Sequence, residues 1–546
     1  MADQGEKIKV ADRDGGVLES GPDAFPEKGE VAVIDDKAIR DFYGKSVEEA
    51  YRLKSELVSQ HLEEIGMGKF QWLLFVVSGF GWIVDNFWSQ GISAVRPPIA
   101  NEFSDVSKLS YSSVAYYVGL ILGASFWGTS CDLIGRKPAF NATILLGGIF
   151  ACAVAGTNNF VAFCSIWAVI GTAAGGNVPV DSIMFLEFVP GSHQWLLTTL
   201  SAWWNFGQVV VALVSWVFLA NYACPSDSDY TTCRREDNMG WRYIMITLGA
   251  IAIAFGLIRI LIFKIPESPR YLLSKGRDAE AVEAVNYIAR YNGKPETLTI
   301  GMLQYIDAQL GQPARADPNS PEGKKHDGHM SHMDIIKDNL KSYNISMYRK
   351  LFSGRKLAQH TSITFLIWLT IGIAYPLYFA FITSYLETKS TYSASSSLSH
   401  TYKIYCIVSA VGVVGPLAAG FCVETRLGRR WMMALSAILT GVFLFAYTHA
   451  KTEAADIGFQ CATGVLGNFE YAIMYAFTPE SFPGSLRGTG TGTAATLLRL
   501  GGLVASLIST FAGYTIVPIY ASAALWIAVG VVCFGLPFET HGHASI

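Results

Sequence analysis

The sequence predicts an all-α integral membrane protein, with twelve transmembrane helices in two pseudo-symmetric six-helix lobes. Three observations carry this. Apolar residues make up 51% of the 546 and charged residues only 16%, with the charges gathered between long uncharged runs of membrane-spanning length. Basic pairs punctuate those runs, as in Gly128–Lys137, GTSCDLIGRK. A loop cannot satisfy its own backbone in lipid, so this one lies at a membrane surface. Three landmarks then recur at one offset of 293 residues: Gly135 with Gly428, Gly171 with Gly464, and Glu187 of EFVP with Glu480 of ESFP. One unit has been used twice, in parallel, which places a shared site between two lobes near mid-membrane.

Taken in order, residues 1–66 form a cytoplasmic N-terminal segment, partly disordered, in which Gly, Asp and Glu dominate up to Asp36. From Ser46 onward Val47, Ala50, Tyr51, Leu57, Leu62 and Ile65 recur at helical spacing. A helix there either lies on the membrane or leads, solvated, into the first span. Spans 1–6 are expected at about 70–95, 111–131, 138–157, 160–188, 195–220 and 241–263, within an N-terminal lobe of residues 67–265. A cytoplasmic inter-lobe segment, 266–360, opens with PESPRY, contains a helix at Asp278–Tyr291 and then turns rich in Pro, Gly and His. His326, His329 and His332 step by three there; a flexible linker explains them better than a metal site. Spans 7–12 are expected at about 362–386, 401–423, 431–448, 456–478, 489–513 and 516–536, in a C-terminal lobe of 361–536 followed by a cytoplasmic tail, 537–546. Arg136, Lys137, Arg429, Arg430, Arg487 and the basic inter-lobe segment share one side with both termini. The positive-inside rule makes that side cytoplasmic, with the plasma membrane the expected location.

The same residues exclude other classes. A net charge of −3 without a basic tail gives no handle for nucleic acid. The start, MADQGEKIKVADRDGG, has no apolar core and is not a cleaved signal peptide. GxxxxGK[ST] is absent, which disfavours ATP-driven pumping. No catalytic constellation, metal set or cofactor motif stands out, so an enzyme is not expected. Cys224 and Cys233 bracket the outer loop Pro225–Thr232 and are candidates either for a disulfide or for two free thiols.

The ordered motifs carry a resemblance. GMGKFQW (Gly66–Trp72) and GWIVD (Gly81–Asp85) resemble the entry to span 1 in the synaptic-vesicle-2-related branch of the major facilitator superfamily. GTSCDLIGRK is similar to that superfamily's loop 2–3 motif, and GGNVPVD (Gly175–Asp181) to span 4 of this branch and of metabolite:proton symporters. PESPRYL (Pro266–Leu272) resembles the end of the first lobe in sugar porters, and PESFPGSLRGTG (Pro479–Gly490) the second-lobe loop 10–11. The resemblance implies the major facilitator fold, a central cavity and alternating access. Where relatives often carry a second acid after the span-1 Asp, this chain has Asn86, Phe87 and Trp88.

An ionisable group at a bilayer centre costs at least about 2.5–3.5 kcal/mol, so those inside spans are functional candidates. Arg499 lies mid-way along span 11 and keeps its charge at any accessible pH. Either it contacts an anionic substrate, or it pairs with Glu470 or Asp85. Asp85 lies near the middle of span 1; burial and a neighbouring Arg would pull its protonation in opposite directions, which suits proton coupling. Glu470 stands at the repeat position of Asn177 and is a second proton candidate as well as a substrate contact. Asp181, nearer the end of span 4, suits gating or packing, and Arg259 is a further buried charge. Asp132, Arg136, Glu187, Glu480 and Arg487 form a candidate cytoplasmic gate, pairing in one state and parting in another. Asn177, Trp203, Asn205, Gln208, Tyr375, Tyr378 and Phe381 are candidate cavity-lining residues, and Asn205 and Gln208 share a helix face. Gly175 and Gly176 allow close helix approach.

The reading is a monomeric secondary active transporter of a small polar solute, with an organic anion and proton coupling expected. Its partners are a small-molecule substrate, protons and the lipid bilayer. A sugar or polyol porter, a proton-coupled exporter of a toxic metabolite, and a non-transporting receptor or scaffold are the alternatives.

Overall fold

Lipid-facing side chains set this chain apart from a water-soluble bundle. In the computed structural model Leu122, Phe126, Val161, Ile262 and Phe421 are each more than half exposed, as a hydrocarbon belt requires and a soluble monomer avoids. The structure describes residues 9–11, 17–19, 49–103, 109, 111–224, 228–310, 345–388, 398–423, 425, 427–450, 452–483, 486–511 and 516–539. Side chains at 9–11, 17–19, 129, 132–134, 345–347, 379–403, 453 and 509–510 lie outside that description, which takes in the candidates Asp132 and Phe381; His326, His329 and His332 lie outside it altogether.

Twelve spanning positions are filled among the described residues. Span 1 is Lys69–Glu102, span 2 Tyr111–Ile134 and span 3 Arg136–Val154. Span 4 is Phe160–Phe188, span 5 Gly191–Tyr222 and span 6 Gly240–Ile262. Span 7 is Arg355–Thr388, span 8 Leu398–Gly412 with Val414–Cys422, and span 9 Gly428–Tyr447. Span 10 is Glu453–Ser481, span 11 Arg487–Phe511 and span 12 Val517–Cys533. Nine of these are long and apolar enough to cross a membrane by length and composition alone. Outside the spans, Lys9–Ala11 pairs antiparallel with Val17–Glu19.

Glycines let the helices approach. A Cβ built on Gly119 or Gly123 of span 2 would lie within 2.2 Å of the backbone oxygens of Ala168 or Thr172 in span 4. Gly175 meets span 2 in the same way, 2.5 Å from Leu120 O, so this glycine serves packing. Between lobes, span 2 packs on span 11; a Cβ on Gly128 would stand 2.5 Å from Gly492 Cα.

The segment before span 1 departs from both expectations for it. Helix Glu49–Ile65 neither lies on lipid nor stands solvated: Tyr51, Lys54, Leu57, Val58, His61 and Leu62 are all buried. It docks on helices Asp278–Tyr291 and Ile300–Gln309, with Lys54 Nζ 2.5 Å from Asp278 Oδ2 and 2.7 Å from Asp307 Oδ2. Two buried carboxylates compensate the buried ammonium, which removes the cost that would otherwise keep a lysine in water. This helix and the inter-lobe helices mark one face of the molecule, called basal here; the opposite face is distal. At the distal face Cys224 and Cys233 are joined, with Cα atoms 5.9 Å apart. Nearby, Glu102 at the end of span 1 accepts from Arg242 Nη2 at 2.6 Å and Trp241 Nε1 at 3.0 Å.

Candidate functional site

Between the lobes, Arg499 sits twelve residues beyond Arg487 at the head of the 25-residue span 11, midway through a helix about 37 Å long. It is 6% exposed, and its Nη1 donates to Tyr475 Oη of span 10 at 3.1 Å. Its Nε is buried without a partner, and among the described residues it forms no ion pair. Pairing with Glu470 or Asp85 is therefore not what the structure contains; Asp85 stays near enough only to interact through its field. The Tyr475 ring is clasped edge-on by Trp82 of span 1 at 5.4 Å and Trp368 of span 7 at 4.7 Å. Two lobes thus meet around one guanidinium with spare donors and an aromatic surround.

Asp85 is held by a residue the sequence reading passed over. Trp204 Nε1 donates to Asp85 Oδ2 at 3.1 Å, while Asp85 Oδ1 is buried without a partner among the described residues. Trp203 points elsewhere: its ring covers Gly79 and packs on Phe75 at 6.0 Å and Phe206 at 5.7 Å, between spans 1 and 5. Adjacent helical residues are turned by about 100°, so only one of two neighbouring tryptophans can face Asp85. Asn205 and Gln208 are both buried, and Asn205 Nδ2 has no partner among the described residues. Tyr375 packs on Tyr471 at 4.9 Å. Tyr375, Tyr378, Gly464, Gly467, Asn468 and Trp526 line a small pocket inside the second lobe whose lining does not include Arg499.

The repeat-related pair Asn177 and Glu470 share one unusual property. Both are fully buried, and neither the amide atoms of Asn177 nor the carboxyl oxygens of Glu470 have a partner among the described residues. Buried polar atoms are seldom left this way. Asp181 and Arg259 are the opposite case. Arg259 Nη1 and Nη2 bond Asp181 Oδ1 and Oδ2 at 3.1 and 2.8 Å, and the remaining donors reach Val77 O, Ser78 O and Phe140 O. A π-helical turn, Ile258–Ile262, carries Arg259 inward. The pair is saturated and confined to the first lobe, so it fastens spans 1, 3, 4 and 6 and has no donor left for a ligand.

At the basal face one carboxylate collects several cations. Glu187 Oε1 lies 2.5 Å from Arg136 Nη1 and is bonded by Arg487 Nη1; Oε2 accepts from Ser268 Oγ at 2.7 Å. Arg136 belongs to the first lobe and Arg487 to the second. The repeat-related pair, Arg429 Nε to Glu480 Oε2 at 2.8 Å, stays within the second lobe. In sequence Arg429 reads only as a topology-setting charge, and Ser268 and two helix-capping acids carry no signal. Glu267 Oε1 accepts Arg136 N–H at 2.9 Å, and Glu539 Oε1 accepts Arg429 N–H at 3.0 Å, each at the positive end of a helix dipole. The preceding residues, Gly135 and Gly428, have φ of 106° and 70°. That left-handed backbone and the nearby carboxylates both require glycine. Beneath the cluster lies Tyr51 of the N-terminal helix. Burial, with the Glu187 charge second, pushes its phenol above the ordinary range.

Comparison with known proteins now decides the family. The family model described as Major Facilitator Superfamily matches residues 72–506. The chain belongs to the major facilitator superfamily. It is 62% identical over 523 residues, covering 95% of this chain and 92% of the relative, to "Major facilitator-type transporter hxnZ" of Emericella nidulans. It is 41% identical to "MFS siderochrome iron transporter 1" of Ceriporiopsis subvermispora, covering 92% and 93% of the two chains. With "Niacin transporter NiaP" of Acinetobacter baylyi it shares 26% identity over 83% of this chain and 90% of the other. Among solved structures, the proton:xylose symporter XylE bound to 6-bromo-6-deoxy-D-glucose aligns with a TM-score of 0.65 at 16% identity, covering 87% of this chain and 98% of that one. Family and fold together make this a multi-pass membrane transporter of a small molecule and not an enzyme.

Proposed function

We propose that this protein moves a small organic anion across the plasma membrane by alternating access, coupled to protons. The observation that carries the reading is Arg499: a permanent charge at mid-span, buried, bonded to a tyrosine and, among the described residues, without a carboxylate partner. A guanidinium binds a carboxylate through two prongs, and a substrate acid would complete what the resting site lacks. Trp82, Trp368 and Tyr475 around it favour a flat aromatic acid, and one relative is named for niacin. Asn177, Asn205, Gln208, Tyr375, Tyr378 and Glu470 remain the proposed wider lining, and Trp203 gives way to Trp204.

Asp85 and Glu470 are the proposed proton carriers. Each has a buried carboxyl oxygen without a donor among the described residues, and burying a carboxylate unpaired costs far more than burying a neutral acid. Either can take and release a proton as water reaches it. Arg136, Glu187 and Arg487, with Glu480 in the second lobe, form the proposed gate on a basal, cytoplasmic face, with residues 67–265 and 361–536 as the moving lobes of a monomer. The test is uptake of labelled nicotinate by cells expressing wild type or Arg499→Ala at equal surface density. Loss of uptake supports the anion contact; unchanged uptake discards it.

A further inference from the structure

A second arginine stands on the distal side of the first. Asp85, Ser89 and Arg96 are spaced by four and seven residues, so they stack on one face of span 1. Arg96 therefore stands eleven residues, about 16 Å, nearer the distal face than Asp85. Its Nη2 bonds Ser113 Oγ of span 2, and its Nε is buried without a partner among the described residues. Among the described residues it meets no carboxylate. One turn along span 2 from Ser113, the Tyr117 ring lies on Gly502 of span 11; a Cβ there would be 2.1 Å from Tyr117 Cε1. Gly502 is three residues beyond Arg499, on the same helix face. Tyr117 thus separates the two arginines and feels the charge of both. Between the levels of Asp85 and Arg96, Tyr405 Oη of span 8 donates to Gln90 Oε1 of span 1 at 2.6 Å, joining the lobes there.

We propose that Arg96 is a distal anion station, which captures a small carboxylate substrate and passes it under Tyr117 to Arg499. This rests on the organic-anion reading above. An arginine paired for packing alone would be expected to meet an acid, as Arg242 meets Glu102 and Arg259 meets Asp181 in this lobe. Arg96 instead keeps an unpartnered donor beside a hydroxyl, in line with the next cation. Two such charges in a low-dielectric channel concentrate an incoming anion and speed its arrival by roughly 10–1,000-fold, an effect that salt suppresses.

The test is the rate of nicotinate association with purified, detergent-solubilised protein, followed by stopped-flow tryptophan fluorescence at several salt concentrations. Wild type, Arg96→Lys, Arg96→Gln and Arg499→Gln are compared. Arg96→Gln is expected to associate about tenfold more slowly at low salt and to lose most of the salt dependence. Arg96→Lys keeps both, since the charge remains. Arg499→Gln loses the binding signal. A packing role would lower the yield of folded protein but leave the salt dependence of what remains. An unchanged rate and salt slope in Arg96→Gln overturns the station while leaving Arg499 in place. Absence of nicotinate binding by wild type, with binding of a neutral sugar, overturns the anion reading itself.

Discussion

Replacing Arg487 by Leu should open the basal face. Among the described residues that contact Glu187, Arg487 is the one from the second lobe; Arg136, Ser268 and Arg270 belong to the first lobe and its extension. A hydrogen bond to a charged group contributes about 1.5–3 kcal/mol. Taking about 2 kcal/mol, and a factor of ten for each 1.4 kcal/mol, the closed state should lose roughly 30-fold against the open one. Arg429→Leu supplies the control, because its partner Glu480 lies in its own lobe. Spin labels at Lys137 and Leu427, both exposed and on opposite lobes, would report the separation by pulsed electron resonance. Arg487→Leu should add a longer distance to the distribution, and Arg429→Leu should not. Identical distributions in both variants would refute the assignment of the cross-lobe tie to Arg487.

Three further outcomes follow from the contacts. Asp181→Asn strands the Arg259 guanidinium in the first lobe and should cost about 3–5 kcal/mol, seen as a fall in thermal midpoint without a specific change in substrate affinity. Lys54→Met leaves Asp278 and Asp307 facing each other in a buried site and should free the N-terminal helix, seen as early proteolysis between residues 49 and 65. Trp204→Phe removes the hydrogen bond to Asp85 and should shift the pH dependence of transport, whereas Trp203→Phe should not; equal effects would argue against Asp85 as a proton carrier.

The membrane architecture was legible because lipid imposes it. Spans must satisfy their own backbone, loops must reach a surface, and a duplicated unit leaves landmarks such as Gly135 and Gly428 at one offset. The mid-span position of Arg499 was legible for the same reason, and a charge at that depth is costly enough to make it a functional candidate. What stayed hidden is contact across the chain. Trp203 and Trp204 are equal candidates in sequence, and only the packing of span 5 on span 1 turns one toward Asp85. Arg259 and Asp181 look like two functional charges until their 78-residue separation closes into a saturated pair. Lys54 reads as a solvent-facing residue because its carboxylate partners lie more than 220 positions away. Glu267 and Glu539 cap helices whose starts they follow in sequence by more than 100 residues; the glycines before those helices were visible, but not the acids they admit.

Flux through purified protein tests the assignment of Arg499 most directly. In proteoliposomes, entry of labelled nicotinate should be saturable, driven by an inward proton gradient, competed by carboxylates but not by nicotinamide or xylose, and lost in Arg499→Ala. Full flux in Arg499→Ala, or equal competition by the neutral compounds, would contradict an anion held at that guanidinium.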